Sequence, residues 1–588
     1  MPQEMQTLNQ ALERAAGFPD CGLRILDRRE KEVWLGWREV FERSARVAGG
    51  LRSMGVKRGE TIGLFYPTGE EFFVAFFGVL LAGAVPAPLY PPVRLGRLAE
   101  YQSRTARMLQ AVGIGRALAD ARLRRILGEA LSGARCQSYT LTQLPTVGAL
   151  VEDVEPDSLG LVQFSSGTTV DPKPVALTHQ ALMAQTTLLN DFWPDRPGLR
   201  HTGVSWLPLY HDMGLIGGVL TVLERPSVLT VIPPEVFVSR PGVWLRTLSK
   251  YRATISPAPN FAFGLCVEKI RDEEMAGVDL GCWQVALCGA ETIVPSVLRA
   301  FVDRFSRWGL RPEALTPVYG LSEAALAVTF SAIETPFVSR AFSRPHLENG
   351  SGVVDPGGVA GVENRELVSV GRPLPGFEIE IREEGGEVLQ SDRVGRIWTR
   401  GPSLMREYLN QRQGTAEVLQ KGWLDTGDLG LFHKGELYIT GRAKDILIVR
   451  GANHAPEEIE AVASELGEIR TGCCAAVGHL PPGSGREEVW LFVESRRNGR
   501  RMKSNDLTDA CRRRVLARTG IALDRILVLE AGTLPRTSSG KIRRRETLRR
   551  HLADELRPPK PVTTGRILQA VGRSMLAHAR QQREQNVR

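Results

Sequence analysis

Residues 161 to 173, Leu161-Val-Gln-Phe-Ser165-Ser166-Gly167-Thr168-Thr169-Val170-Asp171-Pro172-Lys173, run from an apolar strand pattern into a loop of hydroxyls, a glycine and a cation. Such a loop offers backbone N–H groups, several O–H donors and one ammonium, the set that a triphosphate tail requires. No Gly-Lys-Ser/Thr follows, so it is not a Walker loop. Alone, a Ser/Thr/Gly turn is equally an ordinary surface loop. It is followed in order by Gly289-Ala290-Glu291, Val318-Tyr319-Gly320-Leu321-Ser322-Glu323, Trp423-Leu424-Asp425-Thr426-Gly427-Asp428, Gly441-Arg442-Ala443-Lys444-Asp445 and Pro535-Arg536-Thr537-Ser538-Ser539-Gly540-Lys541-Ile542. These segments concentrate carboxylates, hydroxyls and cations in glycine-rich turns.

The elements around them alternate between helix and short apolar strand. A striped helix (Val40, Phe41, Ala45, Val47, Ala48, Leu51) precedes a turn at Lys57 to Glu60, a strand Thr61 to Phe65 and an apolar helix Phe72 to Ala82. Further strands are expected at 203–207, 227–232, 254–258, 284–288 and 316–319. This alternation implies a sheet covered on both faces. After about Glu366 the pattern changes to Gly-punctuated strands at 378–382, 396–400, 428–432 and 436–440, then a strand Ile446 to Val449 and a helix with Pro456 in its first turn and Gly467 as its stop. The expected fold class is α/β: a large N-terminal domain (1–440) of layered α/β subdomains with a small β-rich subdomain (367–440), then a small mobile α+β C-terminal domain (446–557) and a basic tail (558–588).

The 588 residues are 43% apolar and 24% charged, which excludes wholesale disorder, and no three-residue glycine period or sustained heptad is present. The net charge of +9 is unevenly spread. Residues 496 to 588 hold 24 Lys+Arg against 8 Asp+Glu, so the first 495 residues are net acidic. A basic block can meet nucleic acid, anionic lipid, nucleotide phosphates or an acidic protein, or simply be solvated. Lacking aromatic interleaving or a nucleic-acid motif, this one is not expected to bind nucleic acid. Eight cysteines without a CxxC pair or zinc spacing are expected to be reduced thiols. The longest apolar run, Phe72 to Val85, is too short to span a bilayer, and the N-terminus has no signal pattern, so a soluble cytoplasmic protein is expected.

Taken together, the ordered motifs resemble those of the acyl-adenylate-forming superfamily, which includes acyl-CoA synthetases, luciferases and peptide-synthetase adenylation domains. The resemblance runs from about Trp37 to Arg550. Four stretches resemble fatty acyl-AMP ligases in particular: Pro88-Leu89-Tyr90-Pro91-Pro92, Trp206 to Leu215 with its Tyr210-His211-Asp212-Met213-Gly214 core, Leu367 to Pro373, and Ile448 to Pro456. A long Gly-rich stretch, 330–366, stands where these ligases carry an insertion associated with poor use of coenzyme A. A long loop in a compact domain is usually functional.

The resemblance implies activation of a fatty acid by ATP with Mg²⁺, then transfer of the acyl group to the phosphopantetheine thiol of an acyl carrier protein on a separate chain or domain. It assigns Ser165, Ser166, Gly167, Thr168, Thr169 and Lys173 to the β- and γ-phosphates, Ser322 to the α-phosphate and Glu323 to the metal. Asp428 and Arg442 take the ribose, and Gly289, Ala290, Glu291, Tyr319 and Gly320 frame the adenine. His211 lines the junction with the acyl pocket. Lys541 is the mobile catalytic cation, and Lys444 the hinge of the segment 441–445.

Two residues depart from the pattern. Val170 resists positive φ, and Pro174 fixes φ and removes a donor, so a stiffer phosphate loop is expected. Asp157-Ser158-Leu159 imitates a carrier attachment site but runs into a strand rather than opening a helix, and is expected to be a loop. An acyl-CoA ligase, and a non-catalytic acyl or nucleotide sensor, remain as alternative readings.

Overall fold

The structure is a computed structural model that describes residues 6–92, 97–165, 172–194, 198–353, 363–449, 452–481, 484, 486–496, 504–537 and 540–559. Helix α1 (Leu8–Ala15), strands β1 (Gly22–Leu26) and β2 (Glu32–Gly36) and helix α2 (Trp37–Ser53) open the chain. There follow β3 (Thr61–Phe65), α3 (Glu70–Leu81), β4 (Val85–Pro88), α4 (Leu98–Ala111), β5 (Arg116–Ala119), α5 (Ala121–Gly133) and β6 (Gln137–Tyr139). Strands β3 to β6 form a parallel sheet in the order β4-β3-β5-β6. Helix α3 carries Phe72, Phe73, Phe76 and Phe77, all buried, and Phe77 meets Trp37 of α2 edge-on at 6.1 Å. Each such ring contributes about 1.5–3 kcal/mol by leaving water. Glu70 and Glu71 in the first turn complement the dipole of this otherwise apolar helix.

A hairpin of β7 (Leu159–Phe164) and β8 (Pro174–Thr178) leads through helix α6 (His179–Phe192) to β9 (Gly203–Ser205), β10 (Val228–Val231), β11 (Ile255–Pro259), β12 (Val285–Gly289), β13 (Leu315–Gly320) and β14 (Ala327–Phe330). These last six join β1 and β2 in a nine-stranded sheet whose far edge is Arg372–Pro373. The strands from β9 to β13 pair in parallel, as the alternating sequence pattern predicts. An aromatic cluster fills the layer beneath: Trp206 stacks on Phe237 at 3.8 Å, and Trp244 meets Trp283 at 5.1 Å.

The 330–366 stretch is not a structureless loop. Within it β15 (Ser339–Ser343) pairs antiparallel with β16 (Asn364–Val368), and helix α7 (Arg344–Glu348) follows β15 directly. Its glycine-rich part, 354–362, lies outside the described residues. Naming Arg372–Pro373 as β17, the antiparallel sheet beyond it contains β18 (Glu378–Arg382), β19 (Gly395–Arg400), β20 (Glu407–Tyr408, which joins β8 instead), β21 (Leu419–Gln420), β22 (Trp423–His433) and β23 (Glu436–Arg442).

The smaller C-terminal domain begins with the pair β24 (Leu447–Val449) and β25 (Ala452–His454). Helix α8 (Pro456–Ser464) and strands β26 (Ile469–His479) and β27 (Glu488–Ser495) follow, with helix α9 (Ser504–Thr519), β28 (Arg525–Leu529) and helix α10 (Arg544–Leu552). Pro456 occupies the first position of α8, where its missing N–H costs nothing, and the helix stops at Ser464, three residues before the expected Gly467. Ile459, Cys474, Leu491, Leu507 and Val515 form this domain's core. All eight cysteines are buried, and none forms a disulfide. Among the described residues no helix is long and apolar enough to cross a membrane.

Candidate active site

The antiparallel pair β22 and β23 places Asp428 directly opposite Arg442. Arg442 Nε lies 2.9 Å from Asp428 Oδ1, and the Tyr319 hydroxyl donates to Asp428 Oδ2 at 2.9 Å. Burial, with the Asp428 carboxylate second, raises the Tyr319 phenol well above its usual range, which keeps it a donor. Asp428 is thus fixed as a buried carboxylate, 6% exposed, with one neutral and one charged partner. The turn before it is held by its neighbours. Asp425 accepts the Gly427 N–H at 3.0 Å and pairs with Arg396 at 2.6 Å.

Strand β13 brings the next group. Gly320 approaches the Leu326 carbonyl so closely that a Cβ would lie 1.8 Å from its oxygen, and Gly289 packs on Val318, whose Cγ2 a Cβ would meet at 2.7 Å. Glycine is therefore required at both positions. The tight turn after Gly320 presents Ser322 and Glu323. Ser322 Oγ donates to Asp212 Oδ2 at 2.5 Å, and Glu323 Oε1 accepts from the Tyr408 hydroxyl at 2.7 Å. The Lys173 ammonium stands 4.4 Å over the Tyr408 ring, a cation–π contact that leads from the phosphate loop to Glu323. At the loop base Ser165 N–H donates to the Lys173 carbonyl at 2.9 Å. Ser166, Gly167, Thr168, Thr169 and Val170 lie outside the described residues. Pro174 is the first residue of β8, a position where a strand tolerates proline, so it belongs to the hairpin and not to the loop it was expected to stiffen.

Ala290 adopts a positive φ of 66°, and Glu291 accepts the Phe261 N–H at 2.6 Å. Burial pushes the Glu291 carboxyl up. His211 is driven down to about 4 chiefly by burial, so its ring is neutral near pH 7, and its Nε2 has no hydrogen-bond partner. The Tyr210 ring, which also lines the cleft, lies 5.2 Å from the His211 ring.

Lys541 arrives from the C-terminal domain. Its loop is closed by Thr537, whose N–H donates to the Lys541 carbonyl at 2.8 Å and whose hydroxyl accepts the Lys541 N–H at 3.1 Å. Burial first, then Arg442, lowers the Lys541 ammonium pKa, while Asp212, Glu291 and Asp428 oppose that shift. One cation from one domain therefore feels three carboxylates of the other. Lys444 lies in the turn after β23, and its carbonyl accepts the Arg545 guanidinium. Next to it Asp445 pairs at 3.1 Å with Arg544, which also binds Glu457 and Glu460, each at 2.7 Å.

Of the predicted site residues that are described, all but Gly289 line one cleft of about 2530 Å³ between the domains. Its apolar part is lined by Trp193, Trp206, Gly217, Val222, Leu326 and Phe330, and a Cβ on Gly217 would lie 2.8 Å from Leu326. Asp212 and Tyr408 were not legible as site residues. Asp212 stands inside a quoted motif with no role attached, and Tyr408 reaches Glu323 from 85 residues away.

Residues 13–409 match the family model described as AMP-binding enzyme. The chain is 32% identical to a putative acyl-CoA synthetase of Caulobacter vibrioides over 94% of this chain and 96% of the relative. It is 33% identical to the medium-chain-fatty-acid–[acyl-carrier-protein] ligase JamA of Moorena producens, over 88% and 90%. A solved structure from studies of fatty acyl-adenylate ligases from E. coli and L. pneumophila superposes with a TM-score of 0.87 at 32% identity, covering 94% of this chain and 98% of that one. The match over well more than half its length means that this chain belongs to the AMP-binding enzyme family.

Proposed function

We propose that the chain activates a fatty acid in two steps, and that the observation carrying this reading is the convergence of Lys541 with Asp212, Glu291, Asp428 and Arg442 in one cleft. The chain is a fatty acyl-AMP ligase. In the first step a carboxylate oxygen of the fatty acid attacks the α-phosphorus of ATP, the bond to the β-phosphate oxygen breaks, and acyl-AMP and pyrophosphate form. Charge accumulates on the α-phosphate oxygens, where Lys541 supplies a cation in a water-poor cleft. Asp428, held by Tyr319 and Arg442, accepts the ribose hydroxyls. Gly289, Ala290 and Glu291 frame the base, and Lys173 with Ser165 meets the departing pyrophosphate.

Glu323 fits a Mg²⁺ ligand. Tyr408 occupies its Oε1, and no side-chain hydrogen bond among the described residues engages Oε2. One carboxylate plus substrate phosphates is the usual way a protein holds this ion. When bound, Mg²⁺ neutralises phosphate charge; Tyr408 orients the carboxylate and Ser322, bonded to Asp212, faces the α-phosphate.

In the second step the pantetheine thiol of an acyl carrier protein attacks the acyl carbonyl. The thioester forms, AMP leaves, and the thiol proton passes to solvent. Lys444 is the hinge about which the C-terminal domain turns between steps. The insertion supports a carrier over coenzyme A as acceptor, because Arg344 of α7 pairs with Glu458 of α8 at 2.6 Å across the domain boundary, both side chains nearly buried. The competing acyl-CoA ligase reading draws on the Caulobacter relative, a putative acyl-CoA synthetase. Fatty-acid-dependent ATP–pyrophosphate exchange, followed by product analysis with holo-carrier and with CoA offered separately, tests both. Thioester on the carrier supports the proposal; acyl-CoA as the main product favours the competitor, and no exchange contradicts both.

A further inference from the structure

A second cavity, of about 410 Å³, lies apart from the residues given roles above. In the sheet order β4-β3-β5-β6 the chain leaves β3 for β4 on one side and returns to β5 on the other, and open α/β sheets bind ligands in the crevice beyond the carboxyl ends of strands at such a point. The cavity occupies that crevice. Tyr66 and Pro67 follow β3, Glu70 and Glu71 open α3, and Asp120 sits between β5 and α5; with Arg43 of α2 they line it. Its volume is that of a small-molecule site.

The charges there do not cancel. Arg43 is taken by Glu39 at 2.9 Å and by Glu70 at 2.8 Å. Glu71 forms no hydrogen bond or ion pair among the described residues, and burial, with Asp120 second, pushes its carboxyl up. Asp120 Oδ1 caps α5 by accepting the Arg122 and Leu123 N–H groups at 2.8 and 3.0 Å, while among the described residues no group donates to Oδ2. Two carboxylates thus face one cavity without a cation of their own.

Tyr66 is 4% exposed, and its hydroxyl has no hydrogen-bond partner. Burial first, then the charges of Glu71 and Asp120, raises its phenol far above the usual range, so it meets both carboxylates as a neutral group. Native proteins leave few buried polar groups unpaired. The two carboxylates make the cavity unsuitable for an anion. A directly ligated metal ion fits no better, because among the described residues no three His, Cys, Asp or Glu side chains are placed to hold one. An organic ammonium does fit. Its N–H groups would donate to Glu71, to Asp120 Oδ2 and to the Tyr66 oxygen in charge-assisted hydrogen bonds, with its alkyl chain along Pro67 and the Tyr66 ring.

We propose that Tyr66, Glu71 and Asp120 form a site for a short-chain organic ammonium of the linear diamine class, separate from the cleft that holds Lys541. Tyr66 and Pro67 also line that cleft, so the two spaces share a wall. The inference goes beyond the ligase reading and does not require it.

The test is calorimetric titration of the full chain with butane-1,4-diamine at physiological ionic strength, where diffuse attraction to exposed charge is screened. Wild type should bind the diamine saturably at one site and give no binding heat with butane-1,4-diol, its neutral counterpart. Glu71→Gln should weaken binding at least tenfold, and Asp120→Asn likewise, since asparagine keeps the cap and removes the charge; Tyr66→Phe should weaken it several-fold. Changing two remote exposed acids together, Glu383→Gln and Glu384→Gln, should leave the affinity unchanged. Absence of saturable binding, equal affinity in wild type and Glu71→Gln, or equal weakening by the remote pair would overturn the proposal. Displacement by Mg²⁺ at a lower concentration than the diamine itself requires would also overturn it, by making this a divalent-cation site. Binding is read without turnover, so failed ATP–pyrophosphate exchange bears on the ligase reading alone.

Discussion

Arg442 and Asp428 face each other across β22 and β23, 2.9 Å apart, and Lys444, the hinge of the proposed function, follows two residues later. Burial, and after it the same Arg442 from across the domain boundary, lowers the Lys541 pKa. On the proposed function, ribose recognition, hinge and catalytic cation therefore share one charged junction.

Asp428→Asn should raise the ATP KM in pyrophosphate exchange by tenfold or more. The amide retains one acceptor but loses the charge that Arg442 and the ribose hydroxyls engage, and hydrogen bonds to charged groups are worth about 1.5–3 kcal/mol. An unchanged ATP KM would remove Asp428 from the ribose site.

Tyr408→Phe deletes the hydroxyl that orients Glu323. The Mg²⁺ concentration giving half-maximal exchange should rise about fivefold, in line with a net hydrogen bond of about 1 kcal/mol, while fatty acid KM stays constant. A Mg²⁺ titration that superposes on wild type would show that Glu323 needs no such orientation.

Breaking the Arg344–Glu458 pair should loosen the C-terminal domain. Glu458→Gln is expected to increase acyl-CoA formation several-fold at saturating CoA. Because a buried charge left unpaired can cost about 3–5 kcal/mol, the swapped variant Arg344→Glu/Glu458→Arg is the control that should restore wild-type selectivity. Equal CoA use by all three proteins would place acceptor choice elsewhere.

Much of this arrangement is legible in the sequence. The strands follow from alternation, and glycine marks the turns at 289, 320 and 427, the first two because a Cβ has no room there and the third because its φ is 74°. Strand Glu378–Arg382 falls where expected, because its apolar residues alternate between clear turn signals. The insertion was harder to read. Its glycines suggest a loop, yet Ser339 pairs with Val368 across nearly thirty residues, a contact no local pattern announces. Tyr408 escapes for the same reason, since its role depends on a neighbour brought to it only by the fold.

The basic C-terminal surplus is partly spent within the domain. Arg514 pairs with Glu465, and Arg512 lies 3.4 Å from Asp509 on α9. Residues 560–588 of the basic tail lie outside the described residues. Reversal of Arg512 and Arg513 to Glu should raise the carrier KM several-fold at low salt, with the difference fading at physiological strength and pyrophosphate exchange unaffected. Insensitivity to both reversal and salt would place carrier docking on another face.

Folding stability should fall with acid through His179. Its Nδ1 accepts the Leu8 N–H at 3.2 Å, and burial holds its pKa down to about 4. The unfolded chain takes up the proton near pH 6.5, so this contribution is complete above pH 6.5 and erodes as pH falls toward 4. Between pH 7 and 5 the loss is about 2 kcal/mol. Urea midpoints across this range should fall less steeply for His179→Gln; an identical slope would exclude the residue.

On the proposed function Lys541 serves the adenylation step specifically. Lys541→Ala should reduce fatty-acid-dependent ATP–pyrophosphate exchange by about 10²-fold or more, the scale of losing one preorganised transition-state stabiliser. Transfer to holo-carrier from supplied acyl-AMP should persist at near the wild-type rate. Equal loss in both half-reactions, or exchange that survives the substitution, would contradict the account.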